Sequence, residues 1–110
     1  MDEFNQFQDD RRVFERFPAS LPVNLVDLDF EKELEAVACD ISAKGVGVVS
    51  KECLVLGNRL ELKLSINDGG DPFYTRGSAM WSMQEATGGY RSGIALDKPE
   101  LMAMARILRS

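Results

Sequence analysis

Leu60-Glu61-Leu62-Lys63-Leu64-Ser65-Ile66 is the cleanest two-residue alternation in the chain, with four large aliphatics on one side and Glu61, Lys63 and Ser65 on the other. A helix of 3.6 residues per turn scatters such aliphatics around its circumference, whereas a strand lines them up on one face. The stretch therefore reads as a half-buried strand, and the same period recurs on both sides of it. Upstream, 20–28 alternates through Leu21, Val23 and Leu25, with Pro22 suited to the beginning of a strand or to an edge. Residues 33–40 return as a second strand after a polar turn, chosen over the helix that Glu, Lys, Leu and Ala would favour across 30–38 because the span is short and a β-rich segment follows, and 46–50 form a short third. Downstream, 67–72 is a strong turn signal (Asn67-Asp68-Gly69-Gly70-Asp71-Pro72), 73–83 a long strand broken at Gly77, and 90–96 a sixth strand after Gly88-Gly89.

Only the end of the chain changes period. Leu101, Met102, Met104, Ala105 and Leu108 make a helical stripe, with Asp97 as a cap, Pro99 in the first turn, and Arg106 and Arg109 at the C-terminal end of the dipole. The Met102/Met104 stripe reads as a face packed against the sheet. Six short strands followed by one amphipathic helix imply an all-β fold with one C-terminal helix, a small antiparallel barrel or sandwich.

Composition sets the outer limits. At 110 residues the chain fits one domain, and 45% hydrophobic with 28% charged residues is ordinary for a globular fold. No apolar run approaches the length of a membrane span, and MDEFNQFQDD has neither the basic nor the apolar region of a secretory signal. The expectation is a cytoplasmic protein without membrane insertion. A net charge of −5 argues against a general DNA or RNA binder, whose affinity comes from a broad basic surface. Cys39 and Cys53 stand in apolar contexts and read as buried, reduced thiols; with no histidine and no Cys-x-x-Cys spacing there is no metal site to expect.

Against that acidic background, Arg11-Arg12-Val13-Phe14-Glu15-Arg16 places three guanidiniums within six residues, behind an acidic leader carrying Phe4 and Phe7. A guanidinium pairs bidentately with phosphate or with the O6/N7 edge of guanine, and stacks on flat rings. A guanine nucleotide offers all of these partners; the plain alternative is that the arginines neutralise Asp9, Asp10 and Glu15 at the entrance to the domain. Residues 1–17 read as a flexible N-terminal arm carrying this motif, and 18–110 as the barrel with its helix. A second polar break, Asp40-Ile41-Ser42-Ala43-Lys44-Gly45, separates two apolar runs, with Gly45 free to take a positive φ. Its plain reading is a turn in which Asp40 and Ser42 bond their own backbone.

Together the two stretches resemble a known family. Arg12-Val13-Phe14-Glu15-Arg16 is similar to the Arg-x-x-x-Arg motif, and Asp40-Ile41-Ser42-Ala43-Lys44-Gly45 to the Asp/Asn-x-Ser-x-x-Gly motif, of the PilZ domain, the bacterial receptor module for cyclic di-GMP. Leu21-Pro22-Val23, Gly77-Ser78-Ala79-Met80-Trp81 and Gly93-Ile94-Ala95-Leu96 extend the likeness over nearly the whole chain from residue 11. The resemblance implies a six-stranded antiparallel β-barrel with a C-terminal helix, the ligand lying on its outer surface and the arm folding over it.

It also implies a ligand-binding set of Arg11, Arg12, Arg16, Asp40, Ser42, Gly45 and Trp81. The arginines clamp phosphate or guanine, Asp40 accepts from guanine N1–H and N2–H, Ser42 offers a hydroxyl, and Gly45 lets backbone approach the base. An arginine at position 11 is associated in this family with an intercalated pair of ligand molecules. Trp81 either fills the barrel or stacks on a guanine. No cofactor is implied, and a downstream protein partner is, in motility, pilus, polysaccharide or transcriptional machinery. The alternative function is a ligand-independent interaction module on the same fold. Nothing points to an enzyme: no catalytic motif is present, and the run Asp27, Asp29, Glu31, Glu33, Glu35 reads as a solvated sheet edge that resists association rather than as paired acid–base carboxylates.

Overall fold

The computed structural model describes residues 15–110, so Arg11, Arg12 and most of the arm lie outside the described residues. Six strands, β1 (Phe17–Asp27), β2 (Lys32–Ile41), β3 (Gly45–Ser50), β4 (Arg59–Leu64), β5 (Phe73–Gln84) and β6 (Tyr90–Leu96), precede one helix, α1 (Leu101–Arg109). All pairings are antiparallel, and the order β1-β2-β3-β6-β5-β4 closes into a barrel where β4 pairs with β1. The expected six-stranded barrel with a C-terminal helix is what the chain forms.

Alternation explains the interior. Leu60, Leu62 and Leu64 point inward and are all but completely buried, facing a core that includes Leu21, Val23 and Leu25 of β1. Each leucine so buried contributes about 1.5–3 kcal/mol. The small side chains of Ala36, Ala38 and Ala79 complete the same core, leaving room for the larger ones to meet.

Closure corrects the reading of the acidic run. Among the described residues the sheet has no free edge to protect. Asp27 is buried instead, its carboxylate accepting from the backbone N–H groups of Asp29 and Phe30 at 3.0 and 2.9 Å and from Asn58 Nδ2 at 3.3 and 3.0 Å. Asp29 accepts from Arg59 Nε and Nη2 at 3.1 and 2.9 Å. Both aspartates thus staple the β1–β2 turn, where Glu31 takes a φ of 54°, to the start of β4.

β5 is not broken at Gly77 as expected. The strand runs through it, because a Cβ there would stand 2.3 Å from the Ala95 carbonyl oxygen and its absence permits close pairing with β6. The irregularity falls three residues later, where the register shifts between Ala79 and Trp81. Cys53 also departs from expectation: it is exposed in the β3–β4 connection, while Cys39 is half-buried, and both are free thiols.

The helix begins later than its local signals suggest. Asp97 and Pro99 both precede it, and Glu100 at the N-cap makes no side-chain cap. Its backbone N–H donates instead to the Ala43 carbonyl at 2.8 Å, so a tertiary bond sets the start. The buried face is Ala103 and Met104, with Ile107 against the core, whereas Leu101, Met102 and Leu108 are exposed; Met102 does not pack against the barrel. Arg109 Nε donates to the Ala105 carbonyl in the last turn, but Arg106 turns away to the β4–β5 loop. Its Nε and Nη2 donate to Asp68 at 2.7 and 2.9 Å, and Nη2 also donates to the Asp71 carbonyl at 2.7 Å. The Arg106 bonds, then the Gly70 N–H, hold the Asp68 carboxyl well below the usual carboxylate range against the opposing effect of desolvation. A depressed folded-state value means that this clasp is complete at neutral pH and is lost only as pH falls below the ordinary carboxylate value of 3.8. Among the described residues no helix is long and apolar enough to cross a membrane.

Gly77→Ala drives a methyl group into backbone rather than into a movable side chain. The expected loss is about 1–3 kcal/mol of stability, as for overpacking elsewhere, read as a lower urea midpoint with an unchanged slope. A wild-type midpoint would show that the β5–β6 approach is not tight.

Candidate functional site

The β1–β2 register brings the two polar motifs together. Phe17 lies opposite Ile41 and Pro18 opposite Asp40, so Arg16, one residue before the strand, arrives beside the end of β2. Its Nη1 donates to Asp40 Oδ1. The second Asp40 oxygen accepts from Arg91 Nη2 on β6 at 3.5 Å. Asp40 therefore does not bond its own backbone as in the plain turn reading; the side chain is 25% exposed and lies between two guanidiniums.

One row of residues crosses four strands here. Asp40 on β2 is opposite Gly47 on β3, Gly47 opposite Gly93 on β6, and Gly93 opposite Trp81 on β5. A Cβ on Gly47 would lie 2.5 Å from Asp40 Oδ2, and one on Gly93 would lie 2.1 Å from Trp81 Nε1. The carboxylate thus rests over one glycine and the indole over the other. Gly45, also on β3, underlies Arg16: its Cβ would stand 3.1 Å from Nη2. Three missing side chains make a flat floor on the outer wall, on which a cation, a carboxylate and an aromatic ring lie side by side. Glycine in a strand interior commonly marks such a close approach.

The register shift at Met80 aims the ring. Alternation through β5 would send consecutive residues to opposite faces, yet Met80 and Trp81 are both exposed, at 63% and 43%. A bulge does this by leaving one residue unpaired. Trp81 is consequently a surface residue and does not fill the barrel.

Ser42 follows the plain turn reading, whereas Gly45 departs from the expected positive φ. Ser42 is 6% exposed, and its Oγ accepts from the N–H groups of Gly45 and Lys44 at 3.1 and 3.3 Å, while its own N–H donates to the Gly45 carbonyl at 2.8 Å. Its hydroxyl is engaged in shaping the loop. Gly45 is the first residue of β3 and is not among the glycines with positive φ, which are Gly57, Gly69 and Gly88; it is needed for close approach instead. A hollow of about 170 Å³ lies between Arg16, Gly45, Met80, Trp81 and Gly93. A larger depression of about 770 Å³, over Pro22, Asn24, Glu35, Val37 and Lys63, is lined, among the described residues, by none of Arg16, Asp40, Ser42 and Gly45. Of the expected set, the fold assembles Arg16, Asp40, Ser42, Gly45 and Trp81, while Arg11 and Arg12 lie outside the described residues. Sequence reading missed Gly47, Gly93 and Arg91 as site residues; glycines at outward-facing strand positions were the available signal for the first two.

The PilZ domain model matches residues 10–110, and the chain belongs to the PilZ domain family, the family of cyclic di-GMP receptor domains. Solved structures share the fold at low identity. The Bacillus subtilis inhibitor of motility MotI/DgrA is 17% identical with a TM-score of 0.66, over 86% of this chain and 46% of that one. The PilZ domain of YcgR from Escherichia coli, solved with c-di-GMP, is 15% identical with a TM-score of 0.63, over 90% and 87%. The Borreliella burgdorferi PlzA protein, in complex with c-di-GMP, is 15% identical with a TM-score of 0.62, over 96% and 43%. The chain thus spans less than half of the Bacillus and Borreliella proteins. No curated protein sequence matches it.

Gly93→Ala displaces a ring rather than backbone, since the nearest atoms to the new methyl all belong to Trp81. Because Trp81 is the only tryptophan, its emission maximum and its quenching by acrylamide report the movement directly. A changed emission with a nearly unchanged melting temperature is expected. Identical emission would show that the indole does not depend on the glycine floor.

Proposed function

We propose that this chain is a cyclic di-GMP receptor that passes ligand binding to a partner protein. The observation that carries the reading is the glycine floor holding Arg16, Asp40 and Trp81 on one wall. Cyclic di-GMP presents two phosphates and two guanines, and each element of that floor answers one of them. Asp40 accepts from guanine N1–H and N2–H, which adenine does not offer. Trp81 supplies a flat, half-exposed face for a purine. Arg16, joined by Arg12 and Arg11 from the arm, supplies forks for phosphate or for guanine O6/N7.

The Arg16–Asp40 pair is compatible with this exchange. Its arginine side chain is 52% exposed, and exposed ion pairs contribute about 0–1 kcal/mol, so releasing it costs little against new charge-assisted bonds to a dianion. Local recognition also fits a chain of net charge −5, which argues against binding polyanions through a broad basic surface. Ser42 and Gly45 serve the ligand by building the floor.

Titration calorimetry with cyclic di-GMP, against GTP and cyclic di-AMP, tests the proposal. Selective binding of cyclic di-GMP is expected, with losses on the order of 2–4 kcal/mol for Arg12→Ala or Arg16→Ala. Asp40→Ala should instead erode the preference for guanine over adenine. Full affinity in the Arg12→Ala/Arg16→Ala double variant would refute the assignment.

Signal output is assigned to the arm. Arg16 already rests on Asp40, and Arg11 and Arg12 are drawn to the same wall when an anionic ligand lies there to pair with them, so ligand should order the arm and create a surface shared by arm and barrel for a partner to read. Amide hydrogen exchange with and without cyclic di-GMP checks this. Slower exchange in residues 1–17 is expected, and equal protection in both states would move the switch out of the arm.

A further inference from the structure

We propose that Arg91 is a positioning residue for ligand recognition: it holds the Asp40 carboxylate over Gly47 while Arg16 leaves for the ligand. The inference rests on the cyclic di-GMP reading above. Asp40 has two oxygens and two guanidinium partners, which reach it from opposite sides. Arg16 comes from the chain just before β1 and takes Oδ1, whereas Arg91 comes from β6, beyond β3, and takes Oδ2 at 3.5 Å. Arg91 can reach because β6 alternates. Ser92 and Ile94 point into the barrel, fully buried, and Arg91 and Gly93 point out on the same wall as Gly47.

The two partners have different futures when a dianion arrives. Arg16 belongs to the arginine motif and must turn toward phosphate or guanine, which frees Oδ1 for the guanine donors. Without Arg91 the carboxylate would keep only the weak Cys39 thiol contact to Oδ2 at 3.8 Å, and most of its ordering would fall on the ligand's own binding energy. Arg91 sits on a paired strand, opposite Val49 on β3 and Met83 on β5, and does not need to move. Its hold on Oδ2 keeps Oδ1 aimed across the floor. Gly47 contributes by leaving the carboxylate a seat that a Cβ would occupy.

The rival role is a direct bond from Arg91 to a ligand phosphate, since its side chain is 45% exposed. The two roles differ in what they do to base selectivity. Cyclic di-IMP keeps the phosphates, N1–H, O6 and N7 of cyclic di-GMP and lacks only the 2-amino groups. Calorimetric titration of the full chain with both ligands therefore separates them, in wild type, Arg91→Ala and Arg91→Lys. If Arg91 acts through Asp40, Arg91→Ala weakens cyclic di-GMP more than cyclic di-IMP. The preference narrows by roughly three- to ten-fold, the worth of one well-held hydrogen bond, and Arg91→Lys restores part of it. Equal losses for the two ligands would make Arg91 a phosphate ligand and overturn the inference, as would unaltered affinity or a wild type that does not prefer cyclic di-GMP over cyclic di-IMP. In each of these cases the receptor reading stands; only a wild type that binds no cyclic di-GMP removes both.

Discussion

The site depends on what is missing from the outer wall. Gly45, Gly47 and Gly93 lie on two adjacent strands, and an added Cβ at each would meet, in turn, the Arg16 guanidinium, the Asp40 carboxylate and the Trp81 indole. Side chains on a sheet normally stand away from it, so neighbouring groups on one face are kept about a strand's spacing apart. Removing three of them lets long side chains from the flanking strands lie down and converge. Strand pairing does the rest: the β1–β2 register fixes where Arg16 arrives, and the Met80 bulge turns Trp81 to the same wall.

The barrel serves this floor by being hard to deform. β3 and β6 carry the glycines and are the innermost pair of the wall, flanked by β2 and β5 and joined to each other over six register positions. Gly in a strand interior weakens it. The weakness is offset from beneath by Val46, Val48 and Ile94, all buried against the leucines of β1 and β4. The same strands therefore present a packed inner face and a nearly bare outer one. Two-residue alternation allows this because the two faces draw on different residues.

That alternation is also why so much of the fold was legible. Leu60, Leu62 and Leu64 announce their strand and its buried face, and Tyr90 to Leu96 begins and ends where its turn signals place it. What failed were features set by partners distant in sequence. Asp97 and Pro99 carry local helix-start signals, but the first helical turn is placed by the Glu100 bond to Ala43, which no local rule contains. Asp27 looked like one more surface carboxylate, yet Asn58, thirty-one positions away, gives it a buried partner. A bulge at Met80 leaves little trace in a pattern read two residues at a time. The motif residues Arg16 and Asp40 were legible as chemistry, whereas Gly45 suggested a loop with positive φ and Gly47 and Gly93 read only as members of their strands. A glycine needed for close approach and a glycine needed for a turn are the same letter.

Backbone bonding decides which parts of the site move. The 42–45 loop is closed by Ser42 N–H to Gly45 O at 2.8 Å, tied to the end of β6 by Leu96 N–H to Lys44 O at 2.9 Å, and tied to the helix start by Glu100 N–H to Ala43 O at 2.8 Å. Ala43 is fully buried between these ties. Moving the loop would break several bonds of buried backbone at once, each costing about 1–3 kcal/mol when left unmade. The floor is therefore preorganised, and a ligand need not supply energy to shape it. The adjustable elements are those that rest on the floor without being bonded into it by backbone: among the described residues, the Arg16 guanidinium is held by one exposed ion pair and the Trp81 ring by contact alone. Under the receptor proposal, recognition on this wall is accordingly a rearrangement of side chains over a fixed sheet. On the same proposal, a larger change that follows binding begins with the chain to which Arg16 is attached.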